Sequence, residues 1–189
     1  MCSYFHFQSF IYYKTFKGEI QVYKVVIKKG DIFSEKSADF IVNPSNTELI
    51  LGSGVSGAFR RVCGSALQNE MRKLAPIKQG EVAVTDCPGH PEYKKALHVA
   101  IMDYTSNNPS PTLEVIKKSL QNIEKIIKNH TPCKIVLPLM GVGVGGLDKE
   151  EVIKIYKEFF FKNVDFDCEV VIYGYKDEDY TLLKKYFEK

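Results

Sequence analysis

Apolar and polar positions alternate along Glu19–Lys29, a stretch rich in β-branched residues, and this period predicts a strand. Phe40-Ile41-Val42 is a short unbroken apolar run of the buried-strand kind. It leads into Asn43-Pro44-Ser45-Asn46, which reads as a turn. Val55 to Leu74 has helical spacing, interrupted near Gly64. Glu81–Asp86 and Ala96–Met102 are predicted strands joined by a Pro88-Gly89-His90-Pro91 turn. Thr112–Asn129 carries the clearest helical pattern. Leu113, Ile116, Leu120, Ile123 and Ile127 recur at 3.6-type spacing with lysines opposite, and Pro111 and Pro132 punctuate the ends. Lys134–Leu139 follows as a buried strand, Asp148–Phe161 as a helix, Glu169–Tyr173 as a strand and Asp177–Phe187 as a closing helix.

Strands that alternate with helices predict an α/β fold around a parallel or mixed sheet. Ligands in such sheets bind beyond the carboxyl ends of the strands. Residues 1–18 stand apart as an aromatic-rich extension, with Tyr4, Phe5, Phe7, Phe10, Tyr12, Tyr13 and Phe16. They lack the basic start and unbroken apolar stretch of a signal peptide. An added strand and a tail packed on a neighbour both remain open for them. Residues 19–189 are expected to form a single domain.

Composition narrows the function without deciding it. Apolar residues make up 44% and charged residues 26%, with a net charge of +3. That charge suits an anionic ligand but leaves no polyelectrolyte footprint, so direct nucleic-acid binding is not expected. Lys14 and Lys17 beside Tyr12, Tyr13 and Phe16 form a basic aromatic cluster, read as an added strand or aromatic packing. No run approaches the ~18 apolar residues of a membrane span. Cys2, Cys63, Cys87, Cys133 and Cys168 are dispersed, and the histidines equally so. The expectation is therefore no disulfide framework, no metal site and a reducing, cytoplasmic setting. His90 and His98 read as structural rather than catalytic.

Chemistry concentrates in two glycine-rich segments. Gly52-Ser53-Gly54-Val55-Ser56-Gly57 follows the Asn43–Asn46 turn, and Pro138 to Gly146 holds Gly141, Gly143, Gly145 and Gly146. Each follows an apolar run and precedes a helical pattern, so backbone N–H groups and a helix N-terminus can receive an anion. Two such loops face to face would clamp a diphosphate. Gly141-x-Gly143-x-x-Gly146 has the spacing of a dinucleotide fingerprint, but a single strand follows it, too little chain for that fold. Gly146-Leu147-Asp148 lacks the lysine and hydroxyl of a Walker loop.

The ordered set Gly30-Asp31-Ile32, Ile41 to Asn46, Gly52 to Ala58 and Leu137 to Gly146 resembles the macrodomain family across residues 19–175. The resemblance implies a three-layer α/β/α sandwich with a central mixed, largely parallel sheet. It also implies binding of ADP-ribose, free or attached to protein or nucleic acid, with no cofactor and no metal. On the same footing, Gly30, Asp31 and Ile32 meet the adenine, Asp31 by accepting from its amino group. Asn46 meets the distal ribose, with Asn43 in the same motif. Gly52, Ser53, Gly54, Val55 and Ser56 surround that ribose and its phosphate. Pro138, Gly141, Val142, Gly143, Val144 and Gly145 wrap the diphosphate, and Ile32, Val55 and Val144 supply apolar floor. Tyr173 and Tyr175 are both candidates to stack on adenine.

The departures concern catalysis. Ser56 stands where hydrolytic relatives carry a water-activating aspartate, and a serine hydroxyl is a poor general base. Ser53 replaces the middle glycine of a triplet. Gly145 stands where relatives place an aromatic or an aspartate, and Asp148 comes three residues later. Asn46 and Ser56 are the catalytic candidates that remain. The leading expectation is a binding module. The alternative is a hydrolase of ADP-ribosyl esters, O-acetyl-ADP-ribose or ADP-ribose 1″-phosphate, using a water held by the ligand's own phosphate. Recognition of RNA or poly-ADP-ribose is a further possibility.

Overall fold

The computed structural model describes residues 10–12, 21–87 and 89–188. A seven-stranded sheet forms the middle layer, with strand order β1-β3-β9-β7-β4-β6-β5. Its members are β1 (Phe10–Tyr12), β3 (Lys24–Lys29), β4 (Ala38–Asn46), β5 (Val82–Thr85), β6 (Tyr93–Met102), β7 (Cys133–Pro138) and β9 (Cys168–Gly174). Strands β3, β9, β7, β4 and β6 run parallel, while β1 and β5 pair antiparallel at the two edges. β2 (Gln21–Val22) pairs with β8 (Asn163–Val164) outside this sheet. The predicted strand at Glu19–Lys29 thus divides at Tyr23, which is buried. Within the aromatic extension, Phe10–Tyr12 is a strand on β3; residues 1–9 and 13–20 lie outside the described residues.

Helices α3 (Leu113–Ile127), α4 (Lys149–Phe160) and α5 (Asp177–Phe187) cover one face of the sheet. Their apolar stripes (Ile116, Leu120 and Ile123; Val152 and Tyr156; Leu183) pack on Val25, Ile27, Val42, Ile135, Val170 and Ile172. Thr112 caps α3 by accepting from Val115 N, and Pro111 sits just outside, as the sequence punctuation indicates. Helices α1 (Gly54–Val62) and α2 (Ala66–Leu74) cover the other face, with Phe59, Leu67 and Met71 against Ile41, Ala96 and Val136. The two are separated at Gly64, whose φ of 83° favours glycine. The chain is therefore an α/β/α sandwich with a mixed, mostly parallel sheet.

Two expectations are corrected. Asn43-Pro44-Ser45-Asn46 is no turn: β4 runs through it to Asn46, with Asn43 opposite His98 and Ser45 opposite Ala100. Polar residues inside a buried strand broke the apolar pattern but not the strand. Secondly, Cys63 and Cys87 form a disulfide, Cα atoms 4.9 Å apart. It joins the end of α1 to the segment after β5. A separation of 24 residues carries no local signal of that pairing. Cys133 and Cys168 are free and buried, and Cys2 lies outside the described residues.

The two ends of the parallel strands differ in chemistry. At the amino ends, Lys24, Glu169, Lys134, Asp39 and Lys94 form a row of alternating charge across the sheet. Lys24–Glu169 is 2.5 Å, Lys134–Glu169 3.6 Å and Lys94–Asp39 2.6 Å, and Asp39 also accepts from Lys134 N at 2.8 Å. At the carboxyl ends, the loops after β4 and β7 carry the two glycine-rich segments. Among the described residues no helix is long and apolar enough to cross a membrane.

Candidate functional site

The loops that follow β3, β9, β7, β4 and β6 leave the same edge of the sheet because those strands are parallel. The sequence-predicted site residues fall on these loops, on the strand ends beneath them or in the first turn of α1. Gly30 N donates to Gly174 O at 3.0 Å, tying the ends of β3 and β9 together.

The loop after β4 is held by side chains from three elements. Asn46 donates to Ile50 O at 2.8 Å and accepts from Ile50 N at 3.1 Å. Gln68 of α2 accepts from Leu51 N at 2.8 Å and donates to Leu49 O at 3.0 Å. Arg60 of α1 donates to Leu51 O. Leu49 and Leu51 are buried, and Ile50 between them is 54% exposed. Leu49 adopts φ 52°, an uncommon value for a branched side chain, made tolerable by these clamps. Gln68 and Arg60 carry no motif that marks them; only the fold brings them to the loop.

Gly54 then opens α1 with φ 58°. Ser53 is its N-cap but makes no side-chain cap bond, so among the described residues no N-cap side chain satisfies the N–H groups of the first turn. A Cβ on Gly57 would lie 2.9 Å from Gly52 O, so glycine there permits the tight turn from loop to helix. Val55 is half-buried. Ser56 is 7% exposed, and its Oγ makes no hydrogen bond among the described residues.

The loop after β7 starts from a fixed base. Tyr156 of α4 donates to Pro138 O at 2.9 Å and accepts from Met140 N at 3.1 Å, so Pro138 is buried beneath the loop. Leu147 N donates to Gly141 O and Gly146 N to Gly143 O, which folds the loop back on itself. Among the described residues, the N–H groups of Val142 to Gly145 have no hydrogen-bond acceptor. Gly141 has φ 82°, and a Cβ there would meet Leu147 Cδ1 at 2.7 Å. Gly143 by contrast faces open space. A Cβ on Gly145 would lie 2.6 Å from Gly141 O and 2.7 Å from Pro111 Cγ, so this position carries neither an aromatic nor a carboxylate. Val144 is 74% exposed, and Asp148 serves as N-cap of α4, accepting from Glu151 N.

At the other end of the edge, Asp31 caps the 3-10 turn Ile32–Ser34 by accepting from Phe33 N at 3.0 Å through Oδ1, with the side chain exposed. Ile32 is buried beneath that turn. The turn is anchored by Glu35, buried and bonded to Lys134 Nζ at 2.5 Å, Lys28 Nζ at 2.6 Å and Tyr173 Oη at 2.9 Å. Burial alone would raise the Glu35 carboxyl, but the hydrogen bonds from Lys134, Lys28 and Tyr173 prevail and hold it below the usual range. Tyr173 is thus a buried structural group, and burial pushes its hydroxyl upward. Tyr175, past the end of β9, is 74% exposed and alone of the pair offers a ring face.

Asn43 lies behind the site, fully buried. Its Nδ2 donates to His98 Nδ1 at 3.0 Å, which leaves His98 Nε2 to donate to Thr85 Oγ1 at 2.8 Å; Thr85 in turn donates to Asp86 O. This tautomer is assigned from the hydrogen-bond chain. Burial pushes His98 down to about 3, so it stays neutral and acts as a strut. His90 stacks on Tyr93, with ring centroids 4.6 Å apart.

A conserved-family model described as Macro domain matches residues 42–156, which takes in the asparagine motif and both glycine loops. The chain belongs to the macrodomain family. A protein of Sulfolobus acidocaldarius is 31% identical over 176 residues, spanning 87% of this chain and 91% of the relative. ADP-ribose glycohydrolase MACROD2 of Xenopus laevis is 28% identical over 170 residues, covering 86% of this chain and 39% of that longer protein. Among solved structures, the Oceanobacillus iheyensis macrodomain with ADP superposes with a TM-score of 0.79 at 19% identity, over 96% of this chain and 95% of that one. The fold of this macrodomain is thereby shared with a solved nucleotide complex.

Proposed function

We propose that this macrodomain is an ADP-ribose-binding module, with the diphosphate held between the loops after β4 and β7. The observation that carries the reading is the pair of main-chain donor arrays, at the first turn of α1 and at Val142–Gly145, on neighbouring parallel strands. Main-chain N–H groups bind a diphosphate without a counter-charge of their own. Asp31, with Oδ2 not used in the cap, accepts from the adenine amino group. Tyr175 stacks on the base, and Val144 covers the ligand's apolar faces. Asn46 keeps one amide hydrogen and one lone pair beyond its bonds to Ile50, enough to orient the distal ribose. The conjugate partner is an ADP-ribosylated macromolecule, and no metal takes part.

The ADP-ribose glycohydrolase among the relatives favours a second reading, hydrolysis of an ADP-ribosyl ester. None of the candidates read from the sequence serves it as a general base: Ser56 Oγ is buried, Gly145 is locked by Pro111, Asp148 caps α4 and both ring nitrogens of His98 are hydrogen-bonded inside the sheet. A hydrolase built on this site relies on positioning by Asn46 and the ligand phosphate. Incubation with a glutamate-linked mono-ADP-ribosylated substrate, alongside titration of free ADP-ribose, separates the readings. Binding without release supports the module, and release in step with binding establishes the enzyme.

A further inference from the structure

The segment Asp103–Thr112, which follows β6, belongs to neither glycine loop yet is fastened to both. At its start Thr47, next to Asn46, donates through Oγ1 to Asp103 Oδ1 at 3.1 Å and through N to Met102 O at 2.9 Å. At its end Pro111 packs where a Cβ on Gly145 would stand. Between these points the segment closes on itself: Asp103 N donates to Pro109 O at 3.0 Å, Thr105 Oγ1 to Asp103 Oδ1 at 2.6 Å and Ser106 Oγ to Asn108 O at 2.8 Å. It is a braced loop, and it presents Tyr104 at 59% exposure.

Strands β7, β4 and β6 are consecutive in the sheet, and the loop after each displays one exposed apolar side chain. These are Val144 at 74%, Ile50 at 54% and Tyr104 at 59%. Solvent exposure of large apolar groups on three adjacent loops beside a ligand site marks a contact surface. It lies at the asparagine end, where the distal ribose and whatever it is attached to must emerge. Gly145 cannot carry a side chain to cover that end, so the exit stays open. Its charge identifies the occupant. The three loops, residues 47–53, 103–112 and 139–147, hold no lysine or arginine; their carboxylates are Asp103, bonded through Oδ1 to Thr47 and Thr105, and the exposed Glu48. A cation-free, aromatic and hydroxyl-bearing surface suits a polypeptide; a nucleic acid needs cations.

Resting on the ADP-ribose reading above, we propose that Ile50 and Tyr104, continuing the edge that Val144 makes over the ligand, form a rim that holds the polypeptide flanking an ADP-ribosylated residue. The protein then binds a modified peptide more tightly than free ADP-ribose, with Tyr104 setting the difference. The test titrates the full chain with free ADP-ribose, with a synthetic peptide bearing ADP-ribose through a non-hydrolysable linkage, and with an oligonucleotide bearing the same group at its end. The peptide conjugate is expected to bind about five- to tenfold tighter than free ADP-ribose. Tyr104→Ala is expected to abolish that advantage and leave the affinity for free ADP-ribose within about twofold. Equal affinity of the wild type for peptide conjugate and free ADP-ribose overturns the rim, as does an advantage that survives in Tyr104→Ala. An oligonucleotide conjugate bound as tightly as the peptide overturns the assignment to polypeptide. Failure of the wild type to bind free ADP-ribose strikes the underlying reading and the rim with it.

Discussion

In the proposed ADP-ribose reading, Asp31 and Tyr175 are the residues whose side chains, rather than backbone, meet the base. Asp31 spends one carboxylate oxygen on Phe33 N and keeps the other exposed. Asp31→Ala should therefore weaken ADP-ribose binding roughly 5- to 150-fold, the range for losing a charged hydrogen-bond partner. Asp31→Asn, which preserves the cap but weakens acceptance, should fall between, and calorimetry distinguishes the three; equal affinity throughout removes Asp31 from the site. Tyr173 and Tyr175 show where sequence reading stops. Residues two apart on a strand share a face, so periodicity treats them alike. Only the end of β9 at Gly174, and the Glu35 hydroxyl bond beneath, separate a buried strut from an exposed ring. Asn43 was opaque for another reason: its partner His98 lies 55 residues away.

At the scale of elements, the glycine motifs were legible because small size and main-chain donors leave a mark in the sequence. The clamps that hold them were not. Gln68 reads as an ordinary polar position on α2, yet it fixes Leu49 O and Leu51 N at once. Gln68→Ala should lower stability by about 1–2 kcal/mol and weaken ADP-ribose binding severalfold, because the loop after β4 then pays its own ordering cost. Denaturant titration beside calorimetry checks both; a loss of stability with unchanged affinity shows that the loop holds its shape without the clamp. β4 itself was underestimated at its carboxyl end, since Asn43, Ser45 and Asn46 look like turn residues until neighbouring strands bury them. The Cys63–Cys87 bond was invisible for the same nonlocal reason.

For the whole molecule, alternation of strand and helix disclosed the α/β class, while strand order had to come from the structure. That order sets the loops after β7, β4 and β6 side by side, the arrangement on which the proposed binding site and rim both rest. The buried polar groups also give the molecule a pH response. His98 has its folded pKa depressed to about 3 from 6.5, so it binds a proton in the unfolded chain before the folded one. Stability is thus fully present above pH 6.5 and falls as pH drops toward 3, by at most ~1.4 kcal/mol per pH unit. Glu35, also depressed, adds a loss of the same sign below about 4.5. Urea midpoints between pH 7 and 5 check the histidine alone, and a flat profile there would show that His98 accepts a proton in the fold.

The most direct test of the diphosphate clamp is calorimetric titration of ADP-ribose into the wild type and Gly143→Glu. Gly143 faces open space without a positive φ, so the substituted chain should fold while its carboxylate fills the anion site. The account predicts one-to-one binding by the wild type and none by folded Gly143→Glu. Equal binding by both would contradict it.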